Sequence, residues 1–276
     1  MKNPKISIIT ISFNSEKTLE ETIKSVVMQD YDNLEYLIID GGSKDKTLEI
    51  VEKYRDKIAV VISEPDEGIS DAFNKGIALA TGDIIGIINS DDQLLPGALE
   101  AITESYDSNV DVYRGRMVIW NEKTGTKFSE TPTCEFPISK KIKSVCHPST
   151  FVAKRAYEKW GGFQIKYRYM MDADLLYRLH RQNAVIKYVD NDLALFKLGG
   201  ATSNNWRKKI KEVYWTVTDN GGGKVLACGR CISFALYQII KDVLFKIAGE
   251  DNVRSHKYKM VSDSMGLLFF LPFSWL

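Results

Sequence analysis

The sequence predicts an α/β fold in which a mostly parallel β-sheet carries helices on both faces and is followed by a helical C-terminal region. Apolar, β-branched runs of strand length alternate with amphipathic helical segments over residues 1–113, a pattern typical of strand–helix–strand units. These runs are almost continuously apolar, as expected for strands buried on both faces. The chain has 276 residues, 44% hydrophobic and 26% charged, which excludes disordered and fibrous proteins.

Four strands are predicted in this first region: Ile6–Phe13, Leu34–Asp40, Ile58–Ile62 and Ile84–Asn89. After the first strand, Thr18 and Glu21 have the spacing of a capping box and precede apolar residues on one helical face. Gly68–Ala80 is predicted to form the helix after the third strand. Pro96 is predicted to open another helix, in the first-turn position where proline costs least.

Residues 114–200 lack this regular alternation, although Asp172–Gln182 is predicted to be a helix. We interpret residues 1–113 and 114–200 as two halves of one domain. Residues 201–276 form a third, basic region, in which three glycines at 221–223 lead into Phe234–Ala248, a segment with an apolar helical face.

Charge and cysteine content restrict the location and the partners. The 37 basic and 36 acidic residues nearly cancel, so no nucleic-acid partner is expected. The four cysteines form no dense framework and the N-terminus resembles no signal peptide, which indicates the cytoplasm. Residues 201–276 carry 11 basic and 6 acidic residues and end in the apolar Met265–Leu276, too short to span a bilayer.

Polar side chains follow each predicted strand, and in open parallel sheets ligands bind at the carboxyl ends of the strands. Ser12 follows the first strand, Asp40 ends the second, and Asp91 and Asp92 follow the fourth. Adjacent carboxylates at such an edge suit Mn²⁺ or Mg²⁺, hard cations that take oxygen ligands and are commonly shared with substrate phosphates. Taken alone, the two aspartates would equally suit a solvated helix cap, and their position at a strand end favours the cation.

Several longer motifs, in this order, resemble family 2 glycosyltransferases of the Rossmann-like GT-A fold, and within them the bacterial subgroup that builds capsular and exopolysaccharide repeat units. The motifs are ISIITISFN, LEYLIIDGGSKDKT, SEPDEGISDAFNKGIALATGD, IINSDD, CHPSTFVAKRAYEKWGGF and MMDADLLYRLH, within residues 5–182. The resemblance implies inverting transfer of a sugar from a nucleoside-diphosphate donor, UDP being the commonest. Residues 1–113 would then bind the sugar nucleotide and residues 114–200 the acceptor.

The resemblance also implies roles for individual residues. Thr10, Ile11 and Ser12 would line the base pocket, and Asp40 would bond the nucleobase edge. Asp91 would hold the ribose, and Asp92, alone or together with Asp91, the metal. The chain departs from the family at two motifs on the donor side. Phe73 stands where many relatives have an arginine that contacts the diphosphate, and Asn89 stands where they have Asp; Asp71 is the alternative residue to face the nucleotide.

On the acceptor side, Asp172 stands where the family has its general base, the group that takes the proton of the attacking hydroxyl. Asp174 is the alternative base, although two residues along a helix it faces another way. His147 lies in a segment similar to the acceptor-side loop of the subgroup, and from the sequence alone it is either a structural residue or a ligand of the substrate. Gly162 is expected to let the backbone turn beside the acceptor.

Two alternative functions remain. A sugar-1-phosphate nucleotidyltransferase would have a glycine-rich, basic loop after the first strand, where this chain has Ser12–Ser15. A non-catalytic sugar-nucleotide-binding or scaffold protein is disfavoured by the retained aspartates. The expected acceptor is a glycan or a polyprenyl-linked sugar. The basic tail is expected to contact the inner membrane surface, the body of the protein or a homodimer partner.

Overall fold

The computed structural model describes residues 3–122, 124–139, 145–198 and 206–248. Within these ranges the chain forms nine β-strands and eight α-helices. The strands are β1 (Ile6–Ser12), β2 (Leu34–Asp40), β3 (Val60–Ser63), β4 (Ile84–Asn89), β5 (Gln93–Leu94), β6 (Val112–Asn121), β7 (Thr126–Glu130), β8 (Thr150–Ala153) and β9 (Ile186–Lys197). The helices are α1 (Leu19–Val27), α2 (Thr47–Lys53), α3 (Ile69–Leu79), α4 (Ala98–Glu104), α5 (Lys154–Trp160), α6 (Met171–Arg181), α7 (Trp206–Asp219) and α8 (Lys224–Ala248).

The strands form one sheet in the order β3-β2-β1-β4-β8-β6-β9-β5, with β7 paired to β6. The first four strands of this order are parallel, as predicted. Strand β8 runs antiparallel to both β4 and β6, and β6 and β9 are parallel to each other. The α/β class is therefore confirmed, with a parallel first half that β8 joins to a mixed second half.

Helices cover both faces of the sheet. Successive residues of the central strands point to opposite sides, so their apolar side chains need cover on both. On one face Ile8 packs with Leu19 and Ile23 of α1. On the other face Ile9 packs with Phe73 of α3. These side chains are fully or almost fully buried, and each contributes about 1.5–3 kcal/mol relative to exposure. The burial explains why the strands are apolar almost throughout.

Two elements in the first half begin two residues later than predicted. The third strand begins at Val60, because Arg55–Lys57 form a 3₁₀ turn that precedes it. Helix α4 begins at Ala98, after Gly97 has adopted a left-handed conformation (φ 76°) that a helix cannot include. Pro96 therefore precedes this helix and does not open it.

One capping contact and one further helix start also differ from the prediction. The side chain of Thr18 makes no capping hydrogen bond to α1; instead the carbonyl oxygen of Ser15 accepts the N–H groups of Thr18 and Leu19, at 3.1 and 3.0 Å. Helix α8 begins at Lys224, well before the predicted Phe234, since its first turns already bury Ala227 completely.

The C-terminal helical region is confirmed as far as residue 248, where α7 and α8 pack against each other. The apolar segment Met265–Leu276 lies outside the described residues. None of the helices described up to residue 248 combines the length and the apolar character needed to cross a membrane.

Candidate active site

The carboxyl ends of β1, β2 and β4 lie side by side. In the parallel register Ser12 is opposite Asp40, and Ile11 is opposite Asn89. The hydroxyl of Ser12 donates a hydrogen bond of 3.0 Å to Asp40 Oδ1. The last residues of three strands, distant in sequence, are therefore brought to one edge of the sheet, next to Asp91 and Asp92.

The Asp40 carboxylate is completely buried and is already satisfied by the protein. Oδ2 accepts the backbone N–H groups of Gly42 and Ser43, at 3.0 and 2.9 Å, and the hydroxyl of Ser63 at 2.7 Å. Oδ1 accepts the hydroxyls of Ser12 and Ser43. A carboxylate has about four lone-pair sites, so a bond from Asp40 to a nucleobase, which stays a prediction, would have to replace one of these.

The other residues predicted for the base pocket sit at different depths. Thr10 is fully buried and its hydroxyl accepts a 3.0 Å hydrogen bond from Tyr36. Ile11 is half-buried at the edge of the core, and Ser12 is buried against Asp40. Of these three side chains only Ile11 retains surface with which to touch a base, and the pocket itself stays a prediction.

The Asp91–Asp92 pair is the most unusual electrostatic feature of this edge. Asp92 is completely buried. Its Oδ2 accepts a hydrogen bond of 3.1 Å from Asn89 Nδ2, whereas its Oδ1 has no hydrogen-bond partner in the described part of the chain. Burial, together with the neighbouring charge of Asp91, raises the pKa of Asp92 well above its usual value. Burial also raises the pKa of Asp91. An unpaired buried carboxylate oxygen is costly, and a cation would offset that cost.

The donor set fits a divalent cation that is shared with the substrate. No group of three or more His, Cys, Asp or Glu side chains suited to a metal occurs among the described residues, so this part of the chain would supply at most the two aspartates. Mg²⁺ and Mn²⁺ are commonly held by one or two carboxylates plus substrate phosphates and water. The unpaired oxygen of Asp92 meets that requirement, and so does the half-buried Asp91.

Lys197 is a residue near this pair that the sequence analysis missed. It ends β9, which pairs with β5 directly after Asp92, and its charge attracts both Asp91 and Asp92. Its Nζ lies 2.5 Å from Glu21 Oε2. Burial lowers the pKa of Lys197, but its acidic partners outweigh burial and raise it. No local sequence pattern predicts the position of this lysine, because the antiparallel pairing of two distant strands brings it close to the aspartates.

Asp71, predicted to face the nucleotide, lies in the first turn of α3. Its carboxylate accepts the backbone N–H of Glu67 at 3.1 Å and lies 3.4 Å from Lys75 Nζ. Lys75 Nζ also forms an ion pair with Glu64, 2.8 Å from its Oε1. The Asp71 side chain keeps part of its surface exposed, and its contact with a nucleotide stays a prediction.

Asp172, the predicted base, lies in the first turn of α6 and is a quarter exposed. His147 is an ionisable neighbour, and its Nδ1 lies 3.4 Å from Asp172 Oδ1. The two residues line a cavity of ≈ 10 Å³, with Phe163 and other apolar side chains on its walls, which is room for about one water molecule. The structure therefore brings together two of the residues singled out on the acceptor side.

The His147 imidazole is packed between aromatic rings. Phe73 stacks on it with ring centroids 5.1 Å apart and planes at 21°, and Phe163 meets it edge-on at 6.2 Å. Asn74 bonds both the N–H and the carbonyl of Phe163, at 2.8 and 2.7 Å. A Cβ on Gly162 would collide with the Asn74 amide, so the glycine permits this close approach of α3 to the loop after α5.

Arg114 is a second residue that the sequence analysis missed. It is completely buried in β6, and its guanidinium donates to the backbone carbonyls of Thr133 and Val145 and, at 3.2 Å, to Thr150 Oγ1. Burial lowers the pKa of Arg114 to about 10, although Asp172 is among the groups that favour its charge. Arg114 thus holds the segments on both sides of the acceptor-side loop and adds a positive charge near the predicted base.

Asp174, the alternative base, is oriented away from this site. It is completely buried and accepts a 3.0 Å hydrogen bond from Asn220, just beyond α7. Burial raises the pKa of Asp174.

Glu212 of α7 accepts the backbone N–H groups of Arg168, Tyr169 and Met170, at 3.1, 2.7 and 2.9 Å. The C-terminal region is therefore attached to the turn that leads into Asp172.

Comparison with known sequences relates this chain to glycosyltransferases. The sequence model of "Glycosyl transferase family 2" matches residues 7–161. Putative glycosyltransferase EpsE of Bacillus subtilis is 30% identical over 190 residues, 65% of this chain and 68% of that protein. The GalNAc(5)-diNAcBac-PP-undecaprenol beta-1,3-glucosyltransferase of Campylobacter jejuni is 28% identical over 209 residues, which are 66% of this chain and 67% of that protein. The uncharacterized glycosyltransferase Rv1514c of Mycobacterium tuberculosis is 43% identical over 91 residues, and this match spans about a third of each chain, 33% and 35%.

Solved structures share the fold at lower sequence identity. Staphylococcal (S. aureus) TarS 1-349 in complex with UDP-GlcNAc superposes with a TM-score of 0.63 and 18% identity, covering 88% of this chain and 73% of that chain. Mannosyltransferase PcManGT of Pyrobaculum calidifontis, in complex with GDP-Man and Mn²⁺, superposes with a TM-score of 0.61 and 14% identity. This match covers 95% of this chain and 81% of that chain. Both likenesses confirm the GT-A fold that the sequence predicted.

Proposed function

Because the chain belongs to glycosyl transferase family 2, we propose that it transfers a sugar from a nucleoside diphosphate to a hydroxyl group of a glycan or of a lipid-linked sugar, in the synthesis of cell-surface polysaccharide. The observation that carries this proposal is the Asp91–Asp92 pair at the sheet edge, with its buried, unpaired oxygen on Asp92. A fold that had lost its chemistry would have no reason to retain so costly a feature.

The donor would bind at the ends of β1, β2 and β4. Asp92, with Asp91, would hold Mn²⁺ or Mg²⁺, and Asp91 is also the candidate for the ribose hydroxyls. The bound cation would neutralise the charge that develops on the leaving diphosphate. Lys197 lies close enough to both aspartates to influence the charge of the site, whereas Phe73 supplies none.

The acceptor hydroxyl would be activated by Asp172. In the proposed step the hydroxyl oxygen forms a bond to the anomeric carbon, the bond from that carbon to the diphosphate oxygen breaks, and Asp172 takes the hydroxyl proton. A single in-line displacement of this kind inverts the anomeric configuration.

The transferred sugar is proposed to be a hexose or an N-acetylhexosamine and the donor a UDP-sugar, in line with the UDP-GlcNAc of TarS. The GDP-Man of PcManGT makes GDP the alternative base.

The C-terminal region would bring the enzyme to its acceptor. The C. jejuni relative is named for an undecaprenol-linked substrate. On α8 four apolar residues spaced like one helical face, Ile232, Leu236, Ile239 and Val243, are 42–61% exposed; we call them the α8 stripe. Exposed apolar stripes of this kind mark membrane or protein contacts. We propose contact with the inner membrane surface, and a homodimer is the alternative.

A thermal-shift panel tests the donor site. UDP, GDP and dTDP are each added with and without Mn²⁺, since a ligand that binds only the folded state raises the melting temperature. We expect one nucleotide to stabilise the protein in a metal-dependent manner and Asp92→Ala to abolish that effect. Asp56→Asn, at an exposed aspartate beyond α2, is the matched control and should behave as wild type. A panel without any nucleotide effect would contradict the proposal and favour a scaffold protein.

A further inference from the structure

The predicted base and a histidine form a contact that the proposed function does not use. His147 Nδ1 lies 3.4 Å from Asp172 Oδ1. That oxygen is buried and has no hydrogen-bond partner among the described residues, although a quarter of the Asp172 side chain is exposed. The exposed part of the side chain is therefore not Oδ1, which lies on the His147 side.

The imidazole has little freedom to turn away from the carboxylate. Phe73 covers one face of the ring, nearly parallel to it, and Phe163 borders it edge-on. The residue before it, Cys146, has a left-handed backbone conformation with φ 44°, which is uncommon for a residue other than glycine. The carbonyl of Cys146 accepts the N–H of Ser149 at 3.2 Å and the hydroxyl of Thr150 at 2.9 Å. The surrounding structure thus fixes both the backbone and the ring of His147.

The chemistry of the two groups decides how they are oriented. An ionised carboxylate only accepts hydrogen bonds, so a hydrogen bond between the two groups requires a proton on Nδ1, the ring nitrogen that faces Asp172. The other nitrogen, Nε2, is buried and has no hydrogen-bond partner within the described ranges. The separation of 3.4 Å is long for a hydrogen bond, and contacts of catalytic groups often tighten only when the substrate is bound.

We propose that His147 is the positioning residue of the base: its Nδ1–H holds Oδ1 of Asp172, so that Oδ2 is the oxygen that receives the proton of the acceptor hydroxyl. This inference rests on the proposed function. A carboxylate that is held by one oxygen presents the other in a fixed direction, and a misplacement of about 1 Å costs about 10²-fold in rate. Phe73, which brings no charge to the donor, keeps the imidazole in place.

Two substitutions separate the proposed bond from Nδ1–H to Asp172 from the packing of the ring. His147→Phe retains a ring that stacks on Phe73 and removes the Nδ1–H. His147→Asn loses the ring but places an amide N–H near the position of Nδ1. His180→Phe removes a histidine from the same helix as Asp172, where His180 touches Phe136, and is the control. Turnover is measured as nucleotide release from UDP-glucose, UDP-galactose, UDP-GlcNAc and GDP-mannose with a panel of p-nitrophenyl glycosides.

We expect H147F to lower kcat about 10- to 100-fold with the KM for the donor and the nucleotide thermal shift unchanged, and H147N to recover most of that loss. H180F should match wild type. In an Asp172→Asn background H147F should cost nothing further, because the group that it positions is gone. If H147F does not fold, His147→Gln replaces it, since its amide lies nearer the position of Nε2.

The inference is overturned if active wild type and H147F have the same kcat, if H147N is as impaired as H147F, or if H147F remains costly in the D172N background, as a merely structural residue would. Absence of turnover in the wild type with every donor is a different result, which refutes the proposed function itself and this inference with it.

Discussion

The Asn89 amide donates a hydrogen bond of 3.1 Å to Asp92 Oδ2, and this bond orients the carboxylate on which the proposed donor site depends. Asn89 ends β4, so a rigid strand carries the donor of the bond. A neutral amide in this place adds no charge to the two neighbouring aspartates, whose pKa values burial already raises. The strand end therefore supplies orientation without further repulsion.

Replacing Asn89 with Asp should reverse that balance. A third carboxylate repels Asp91 and Asp92 in the metal-free protein, and we expect a loss of about 1 kcal/mol of stability. The same charge should strengthen Mn²⁺ binding about tenfold. Melting temperatures with and without Mn²⁺ and UDP measure both effects, and Asn109→Asp, at an exposed position, is the control. A metal-free N89D protein as stable as wild type would contradict this account.

Glu35 should make stability depend on pH. Burial alone would raise its pKa, but hydrogen bonds from Lys5 at 2.7 Å, from Ser7 and from Thr81 outweigh burial and lower it to about 2. Because the pKa is lower in the folded state, the stabilisation is present above the ordinary glutamate value and is lost as pH falls towards 2.

The corresponding variant is Glu35→Gln, which should cost about 2 kcal/mol at pH 7. The difference from wild type should shrink below pH 4.5 and vanish near pH 2. Denaturant unfolding at several pH values measures it, with Glu49→Gln at an exposed position of α2 as the control. A destabilisation that is independent of pH would show that the charge of Glu35 is not its cause.

Glu212 should affect catalysis from a distance. Its carboxylate accepts three successive backbone N–H groups, of Arg168, Tyr169 and Met170, in the turn that leads into Asp172. Glu212→Gln turns one acceptor into a donor facing N–H groups, so we expect a loss of about 1–3 kcal/mol and a lower kcat. Unfolding and turnover are compared with Glu158→Gln, at an exposed position of α5. Unchanged kcat in a destabilised E212Q would limit Glu212 to stability.

The α8 stripe should bind anionic membranes. Changing Leu236 and Ile239 to Asp removes apolar surface and adds repelling charge, so we expect at least about tenfold weaker co-sedimentation with phosphatidylglycerol vesicles. Met28→Asp, at an apolar residue of the body that is 75% exposed, is the control. Equal binding of all three proteins would refute the membrane contact, and a shift from dimer to monomer in the double variant would favour the homodimer.

Sequence reasoning succeeded where structure is local. The strands Leu34–Asp40 and Ile84–Asn89 were predicted to the residue, because long apolar runs with polar ends leave little choice. It failed at Pro96, where Gly97 adopts a left-handed turn before the helix, and at Thr18, whose side chain does not cap α1. Such turns depend on dihedral angles that the residue types permit but do not require.

The fold class, the family and the placement of polar residues at strand ends follow from the sequence alone, because periodicity and motif order are properties of the chain. Tertiary structure alone decided that Asp40 is saturated with hydrogen bonds, that Lys197 and Arg114 lie at the site, and that His147 contacts Asp172. These relationships join residues from distant segments, and burial, pairing register and ring stacking set them only once the sheet and its helices have packed.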